Sequence, residues 1–370
     1  APFINKVGTT TNVLNSIDSF SRYSKKYEIN LINVFGEWDE YIKNNKIKKI
    51  RLFESKFILN SNKNGFWRSR FFTIIILLKS IMPLIKLIKK NKFDFLICHL
   101  ITSAPIFSSL FFNNKIKIIL SIAGYPKLNY IRKIFWKIFE KNIYKVICPS
   151  EETRLLIKSK KIFQNEKLIK INDPHINIKS INVKKNDIKD KSLLPLNYAL
   201  CIGRLTKQKN FSFLINIFDK IIVLKPDFKL LIIGDGEERN KIQDLIEKKN
   251  LNKKIFLLGY KKNIYHYLKN ARCYISVSLW EGPDLAMLDA AYSNTPIICS
   301  DCPSGRKEFI ENGSRGYMFK LNSEQSFLLI LNQFFKEEEL NLKKKLIRAK
   351  KEVANFSLFR YYMRIKKILS

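Results

Sequence analysis

Residues 273–310 decide the fold class and read CYISVSLWEGPDLAMLDAAYSNTPIICSDCPSGRKEFI. The apolar run 273–279 predicts a strand, Glu281 opens a Gly-Pro turn, and Asp289 is expected in the first turns of the helix that follows. A strand, a glycine-containing turn and a helix in this order are the repeating unit of parallel α/β domains. The stretch therefore predicts a turn that presents a helix N-terminus.

The same turn has the residue types that recognise a sugar phosphate. A helix N-terminus attracts phosphate because its first N–H groups are unpaired and its dipole is positive there. Carboxylates on either side, Glu281 and Asp289, can accept hydrogen bonds from sugar hydroxyls. We interpret the pair as suited to a nucleotide-sugar, with one acid for the sugar and one for the ribose. The alternative is an ordinary strand–loop–helix with solvated acids.

Composition sets the domain number and the kind of partner. A chain of 370 residues predicts two domains. Lys and Arg number 68 against 32 Asp and Glu, a net charge of +36, which favours anionic partners: phosphorylated substrates, an acidic membrane face or nucleic acid. A coding bias that inflates Lys, Ile and Asn is the alternative source of this charge. Because no nucleic-acid-binding motif is present in the sequence, no nucleic-acid partner is expected.

The cysteines and histidines predict a reducing compartment and no metal. The six cysteines lie mostly in apolar runs, which is typical of buried free thiols in a cytoplasmic protein. Cys299 and Cys302 form a C-x-x-C without a second ligand pair, and the three histidines are scattered. We expect neither a metal site nor a cofactor beyond the donor substrate.

Short apolar runs alternate with helical periodicity along the whole chain, which predicts α/β architecture: two Rossmann-like, doubly wound domains facing a cleft. The predicted strands are 29–34, 93–99, 116–122, 145–149, 198–202, 229–234, 255–258, 271–276 and 296–299. The predicted helices include 11–24, 73–90, 130–142, 211–224 and 239–250.

The domain boundaries follow from a change in composition. The polar, Lys/Asn-rich segment 176–195 is interpreted as an interdomain linker between an N-terminal acceptor domain, 1–175, and a C-terminal nucleotide-sugar domain, 196–352. The chain opens as a loop entering a helix, so the first strand of the N-terminal domain is expected to be missing. A helix is predicted in the final segment, 353–370.

Two glycine-containing turns follow strands of the second domain. After strand 198–202, Gly203 permits a tight turn, and Arg204 and Lys209 could neutralise a diphosphate. A solvated basic loop is the alternative. The second turn, Gly234-Asp235-Gly236, fails as a dinucleotide motif because Arg239 stands at the third glycine position.

These segments together resemble family 4 glycosyltransferases, which are retaining enzymes built on the two-domain GT-B fold. The resemblance is strongest over residues 198–319, and Asp301-Cys302-Pro303-Ser304-Gly305 looks most like members that build lipopolysaccharide, O-antigen or other surface glycans. It implies a metal-independent hexosyltransferase with a nucleotide-sugar donor, expected to be a UDP-sugar, and a saccharide or lipid-linked acceptor. It also implies that the helix predicted over 353–370 crosses back to the N-terminal domain.

The resemblance also implies roles for individual residues. Arg204 and Lys209 would bind the donor diphosphate, Glu281 the transferred sugar, and His99 would lie near the acceptor. The other donor-binding residues implied are Gly203, Gly282, Pro283, Asp284, Leu285 and Asp289, with Gly8 and Thr9 from a glycine turn before the first helix. The Gly8-Thr9-Thr10-Thr11 segment could equally be a simple helix cap.

Two positions depart from the family pattern. Asp289 stands where Glu is usual, and Ala123 stands where many relatives have a histidine. Three alternatives to a transferase stay open at this point: a sugar-nucleotide epimerase on the same fold, a basic nucleic-acid-binding protein, and a catalytically inactive relative.

Membrane contact is expected at the surface only. Residues 71–88 are apolar but interrupted by Lys79, Pro83 and Lys86, so we expect no spanning helix there. The basic aromatic segments 64–72 and 130–145 suit contact with an anionic membrane surface, which we expect to be the inner face of the cytoplasmic membrane. For 130–145 the alternative is a helix that packs on the core and has a solvated basic face.

Overall fold

The structure is a computed structural model, and it describes residues 2, 8–42, 47–61, 66–112, 116–126, 128–186, 194–195, 197–282, 284–303 and 305–370. The chain divides into two compact units. Unit 1 is Ala1–His175 with Leu358–Ser370, and unit 2 is Ile176–Ser357. Both are α/β with parallel strands, as predicted.

Unit 1 contains two parallel sheets, β1-β2 and β3-β4-β5-β6. Its strands are β1 (Asn30–Asn33), β2 (Lys48–Arg51), β3 (Phe95–Cys98), β4 (Lys117–Ser121), β5 (Ile143–Cys148) and β6 (Leu168–Lys170). Its first helices are α1 (Gly8–Tyr23), α2 (Lys56–Asn60), α3 (Phe66–Lys90), α4 (Ser103–Ser108), α5 (Tyr130–Ile138) and α6 (Glu151–Ser159).

Successive side chains along a strand point to opposite faces of the sheet, so each face of the four-stranded sheet packs against a different layer of helices. Ile118 and Leu120 of β4 pack with α3, α4, α5 and α6, whereas Ile119 packs with α1 and the chain's last helix. The apolar runs are therefore buried on both sides, which is typical of parallel sheets.

The two sheets of unit 1 do not join within the described residues. There, β1 pairs only with β2 and β3 only with β4. A cavity of about 560 Å³ is lined by β1 residues on one side and β3 residues on the other. That the domain lacks a first strand stays a prediction.

Unit 2 has one six-stranded parallel sheet of order β12-β11-β10-β7-β8-β9. Its strands are β7 (Tyr198–Ile202), β8 (Lys229–Ile233), β9 (Ile255–Gly259), β10 (Cys273–Ser276), β11 (Ile297–Ser300) and β12 (Tyr317–Phe319). The helices that follow in the chain are α7 (Ile178–Asn186), α8 (Phe211–Asn216), α9 (Phe218–Leu224), α10 (Arg239–Lys248), α11 (Tyr265–Asn270), α12 (Leu285–Tyr292), α13 (Arg306–Ile310), α14 (Glu324–Lys336), α15 (Glu339–Val353) and α16 (Leu358–Leu369).

Three boundaries differ from the sequence prediction. The segment 176–195 is not an aperiodic connection, because it contains α7 and because Ile176 bridges Ser357 within unit 2. The single helix expected over 211–224 is two helices, interrupted at Ile217. The last helix, predicted over 353–370, begins later, at Leu358, and this helix, α16, is part of unit 1 as the expected return to the N-terminal domain requires.

The helix predicted over 73–90 is confirmed, and α3 extends further, as 25 residues with Pro83 inside it. The expectation that this stretch is too short and interrupted to pass as a membrane span was wrong, because residues Trp67–Lys90 are long and apolar enough to cross a membrane by length and composition alone. The core side of α3 holds Phe72, Ile76 and Leu84, which pack against the rest of unit 1. Packing on that side compensates for the hydrogen bond that the proline cannot make.

Candidate active site

Two glycine turns lie together at the carboxyl edge of the unit 2 sheet. The turn after β7 and the turn after β8 are joined because Gly203 N donates to Ile233 O at 2.9 Å and Leu205 N donates to Asp235 O at 3.0 Å. A Cβ on Gly234, where φ is +143°, would lie 1.8 Å from Gly203 O. Only glycine fits so close to another backbone, so these residues are explained by packing of the two turns.

The first turn directs Lys209 across Gly203. Lys209 ends a 3-10 turn, and Asn210 in the left-handed conformation leads into α8. A Cβ on Gly203 would lie 2.6 Å from Lys209 Cε, so the glycine leaves room for the lysine side chain. The role of Gly203 is thus to let the Lys209 side chain lie across the turn.

Lys209 and Glu281 form a buried ion pair. Lys209 Nζ lies 2.6 Å from Glu281 Oε1, and Gln208 Nε2 donates to Trp280 O at 2.8 Å beside them. The strands that precede the two residues, β7 and β10, are parallel neighbours, which is why residues 72 apart in sequence meet. Burial would lower the pKa of Lys209, but the Glu281 and Asp284 carboxylates outweigh it and raise that pKa. Lys209 therefore stays charged at neutral pH.

A second buried ion pair lies beside the first. Arg306 Nη2 is 2.5 Å from Asp284 Oδ2, and both side chains are fully shielded from solvent. Asp284 also caps α12, because its Oδ1 accepts from Met287 N at 3.2 Å. Burial would raise the pKa of Asp284, but Arg306 and Lys209 outweigh it and hold that pKa well below its usual range.

Sequence reasoning missed Arg306, the cation that holds this corner together. Its Nη1 donates to Ser300 Oγ at 2.8 Å and its Nη2 donates to Ser276 Oγ. Arg306 follows the Asp-Cys-Pro-Ser-Gly segment that was read only as a family signature. Nothing in the local pattern pairs it with Asp284, 22 residues earlier, because the contact depends on strands β10 and β11 lying side by side.

The side chain of Asp284 is thus part of the protein core. It is 2% exposed and fully engaged, so only the backbone of the α12 N-terminus is left for a ligand. Gly282 and Leu285 flank it and are partly exposed, and Pro283 lies outside the described residues. The phosphate contact at this turn stays a prediction.

Asp289 lies in the second turn of α12 and is buried. Its Oδ1 accepts from the Tyr265 hydroxyl at 2.7 Å, and that hydroxyl belongs to α11. Burial and the nearby carboxylate raise the pKa of Tyr265, so the tyrosine is a donor at neutral pH. The predicted ribose contact of Asp289 stays a prediction, and a ribose would share this carboxylate with Tyr265.

Arg204 differs from Lys209 and Arg306 at this edge. Its side chain is exposed, and it makes no hydrogen bond or ion pair with any residue that the structure describes. Lys209 and Arg306 are each matched by a carboxylate. Arg204 and Lys207 are therefore two exposed cations of the turn after β7 without a carboxylate partner among the described residues.

His99, the predicted acceptor-side residue of unit 1, lies at a small cavity of that unit. His99 follows β3 and lines a cavity of about 10 Å³ together with Asn12, Ala123 and Asp173. Burial lowers the pKa of His99 to about 3, so its ring is neutral at pH 7. Asn12 Nδ2 donates to Asp173 Oδ2 at 2.8 Å, and burial raises the pKa of Asp173 to about 7.

The predicted glycine turn before the first helix is itself helical. Helix α1 begins at Gly8 and includes Thr9, Thr10 and Thr11. The surroundings of Gly8 and the side chain of Thr9 lie outside what the structure describes, so their predicted donor contact stays a prediction.

Comparison with known proteins identifies the family. The model of glycosyl transferases group 1 matches residues 183–353. A glycosyltransferase of Methanocaldococcus jannaschii whose function is uncharacterised is 30% identical over 315 residues, 78% of this chain and 72% of its own length. The chain belongs to the group 1 glycosyltransferases.

Other relatives of this glycosyltransferase carry more specific names. The Escherichia coli UDP-Gal:alpha-D-GlcNAc-diphosphoundecaprenol alpha-1,3-galactosyltransferase is 28% identical over 74% of each chain. Some other curated relatives are matched over less than two thirds of their own length. Anabaena HepE, solved in complex with UDP, superposes with a TM-score of 0.76 at 13% identity, covering 99% of this chain and 97% of HepE, which establishes the GT-B fold.

Over the part of the chain that the structure describes, no group of three or more His, Cys, Asp or Glu residues could hold a metal ion. All six cysteines are buried and free.

Proposed function

We propose that this glycosyltransferase is a retaining, metal-independent member of family 4 that moves a hexose from a UDP-sugar to a lipid-linked saccharide. The observation that carries the proposal is the largely buried Lys209–Glu281 pair at the edge of the unit 2 sheet, with Arg204 exposed in the same turn as Lys209. In this proposal Arg204 and Lys209 neutralise the departing diphosphate in place of a metal, and Glu281 accepts hydrogen bonds from the transferred sugar.

The remaining roles follow from position. Backbone N–H groups of Gly282 and Leu285 meet the phosphates at the start of α12, and Asp289 contacts the ribose. His99, neutral at pH 7, serves the acceptor side, with Gly8 and Thr9 near the donor phosphate. Because Lys209 is held in place by its ion pair with Glu281, little reorganisation is needed when charge develops on the diphosphate.

Two comparisons support the donor and acceptor classes. Anabaena HepE was solved with UDP, and the E. coli relative uses a UDP-sugar and an undecaprenyl-diphosphate acceptor by its name. We therefore propose a UDP-sugar donor, an acceptor for surface-glycan assembly, and a position at the cytoplasmic face of the membrane.

Thermal stabilisation by UDP-, GDP-, ADP- and CMP-sugars tests the donor class. A donor at 100 times its dissociation constant should add about 2.7 kcal/mol to the free energy of unfolding. Transfer is then followed as UDP release with a polyprenyl-diphosphate saccharide, with and without EDTA, and the anomeric configuration of the product is read by NMR. Inversion, EDTA sensitivity, or conversion of the donor without acceptor would each contradict the proposal.

A further inference from the structure

Helix α3 has two apolar faces, of which the protein core uses one. Phe72, Ile76 and Leu84 are buried in unit 1. On the opposite side, five large apolar side chains are between 55% and 78% exposed: Trp67, Phe71, Ile74, Leu78 and Met82. At 3.6 residues per turn these five positions span an arc of roughly 80°, so they form one continuous stripe, here called the α3 outer face.

Helix α5 repeats this arrangement, against the alternative in which its isoleucine face packs on the core. Trp136 is buried, whereas Ile131, Ile134 and Ile138 are between 41% and 77% exposed. The stripe of these three isoleucines is here called the α5 outer face. Its exposure argues against the core-packing interpretation of segment 130–145.

The two outer faces belong to the same layer of unit 1. Helices α3, α4 and α5 all cover one side of the β3–β6 sheet. Helix α3 packs on α4, and Phe107 of α4 contacts Phe139 just after α5 at 6.2 Å between ring centroids. Phe107 and the adjacent Leu110 are themselves exposed, so apolar surface continues from one helix to the next.

The charge on these two helices is basic, and the acid nearest to α5 in sequence, Glu140, is buried and pairs with Lys137. Helix α3 contains six basic residues and α5 three, and neither contains Asp or Glu. The α3 cations are Arg68, Arg70, Lys79, Lys86, Lys89 and Lys90, all exposed. Monomeric proteins seldom expose a large apolar patch without a use for it, and a cationic rim around one matches an anionic lipid surface.

We infer that the α3 and α5 outer faces dock this protein on an anionic bilayer, with the helices lying in the interface. A second copy of the chain fits poorly, because stacking two such faces would bring together cations that no acidic residue of these helices offsets. Insertion of α3 across the bilayer would remove its buried side from the core of unit 1. The inference does not require the proposed transfer activity.

Vesicle co-flotation of the purified protein tests this surface without donor or acceptor. Binding to vesicles of phosphatidylcholine with phosphatidylglycerol should exceed binding to phosphatidylcholine alone by at least about tenfold, and should weaken as salt rises. The double variant Leu78→Glu/Met82→Glu should lose at least about tenfold of the binding to the mixed vesicles.

The matched control is Val223→Glu/Leu329→Glu, which makes the same chemical change at exposed positions of unit 2. It should bind mixed vesicles like the wild type, and both double variants should keep the wild-type melting temperature and donor-induced stabilisation. The inference would be overturned if both double variants lost vesicle binding equally, or if the wild type showed no preference for anionic vesicles. It would also be overturned if the Leu78→Glu/Met82→Glu variant changed from dimer to monomer while its vesicle binding stayed intact.

Discussion

Arg306 Nη2 lies 2.5 Å from Asp284 Oδ2 and 3.9 Å from Glu281 Oε1. One guanidinium therefore connects the cap of α12 to the carboxylate that pairs with Lys209. Four charges, two of each sign, balance in this corner of unit 2. The position of the proposed catalytic carboxylate depends on a core ion pair that no ligand needs to touch.

Removing Arg306 should destabilise the protein strongly. Arg306→Met leaves the Asp284 carboxylate buried and unbalanced, which should lower the free energy of unfolding by about 3–5 kcal/mol. Urea denaturation measures this. The double variant Asp284→Ser/Arg306→Met keeps a capping hydroxyl without the buried charge, and it should recover most of the loss. A single variant within about 1 kcal/mol of wild type would contradict the assignment.

Glu281→Gln should separate catalysis from folding. The amide oxygen can still accept from Lys209 Nζ but no longer balances its charge, so we expect a modest drop in melting temperature with the fold retained. Loss of one preorganised polar group at a reacting centre typically costs about 100-fold or more in rate. Initial rates of UDP release with and without acceptor measure it. Undiminished transfer by this variant, or by Glu281→Ala, would remove Glu281 from the mechanism.

Arg204→Ala should weaken nucleotide binding without affecting stability, because the side chain is exposed and has no described partner. Loss of one charge-assisted hydrogen bond predicts roughly tenfold weaker binding of the nucleoside diphosphate by calorimetry. Lys207→Ala removes the same charge from the same turn and is the control. Equal weakening by both variants would indicate general electrostatic attraction rather than a specific contact.

Asp173 should make stability depend on pH in an unusual direction. Burial raises the pKa of Asp173 from 3.8 to about 7, so the native state binds its proton more tightly than the unfolded chain. The resulting stability is fully present below about pH 4 and is lost as pH rises to about 7, by at most about 4 kcal/mol. Urea midpoints across this range should fall more steeply for wild type than for Asp173→Asn. Parallel profiles would show that the carboxyl titrates normally.

The sequence predicted those features that depend on local pattern. The strand at 198–202 matches β7, and Lys209 and Glu281 do come together, because strand ends of a parallel sheet meet at one edge. Arg306 could not be found this way, since its role depends on which strands are neighbours. The sequence also left open whether Ile131 and Ile138 are exposed or packed on the core, because periodicity gives the apolar face of a helix but not what covers it.

The glycine contacts between the turns after β7 and β8 affect how a ligand binds as well as how the sheet packs. Gly234 and Gly236 leave no room for a side chain against Gly203 and Leu205, so the two turns are locked to each other before any ligand arrives. A turn that is already fixed loses little conformational entropy when it closes on an anion. Association should then be limited by diffusion and electrostatic attraction rather than by loop ordering.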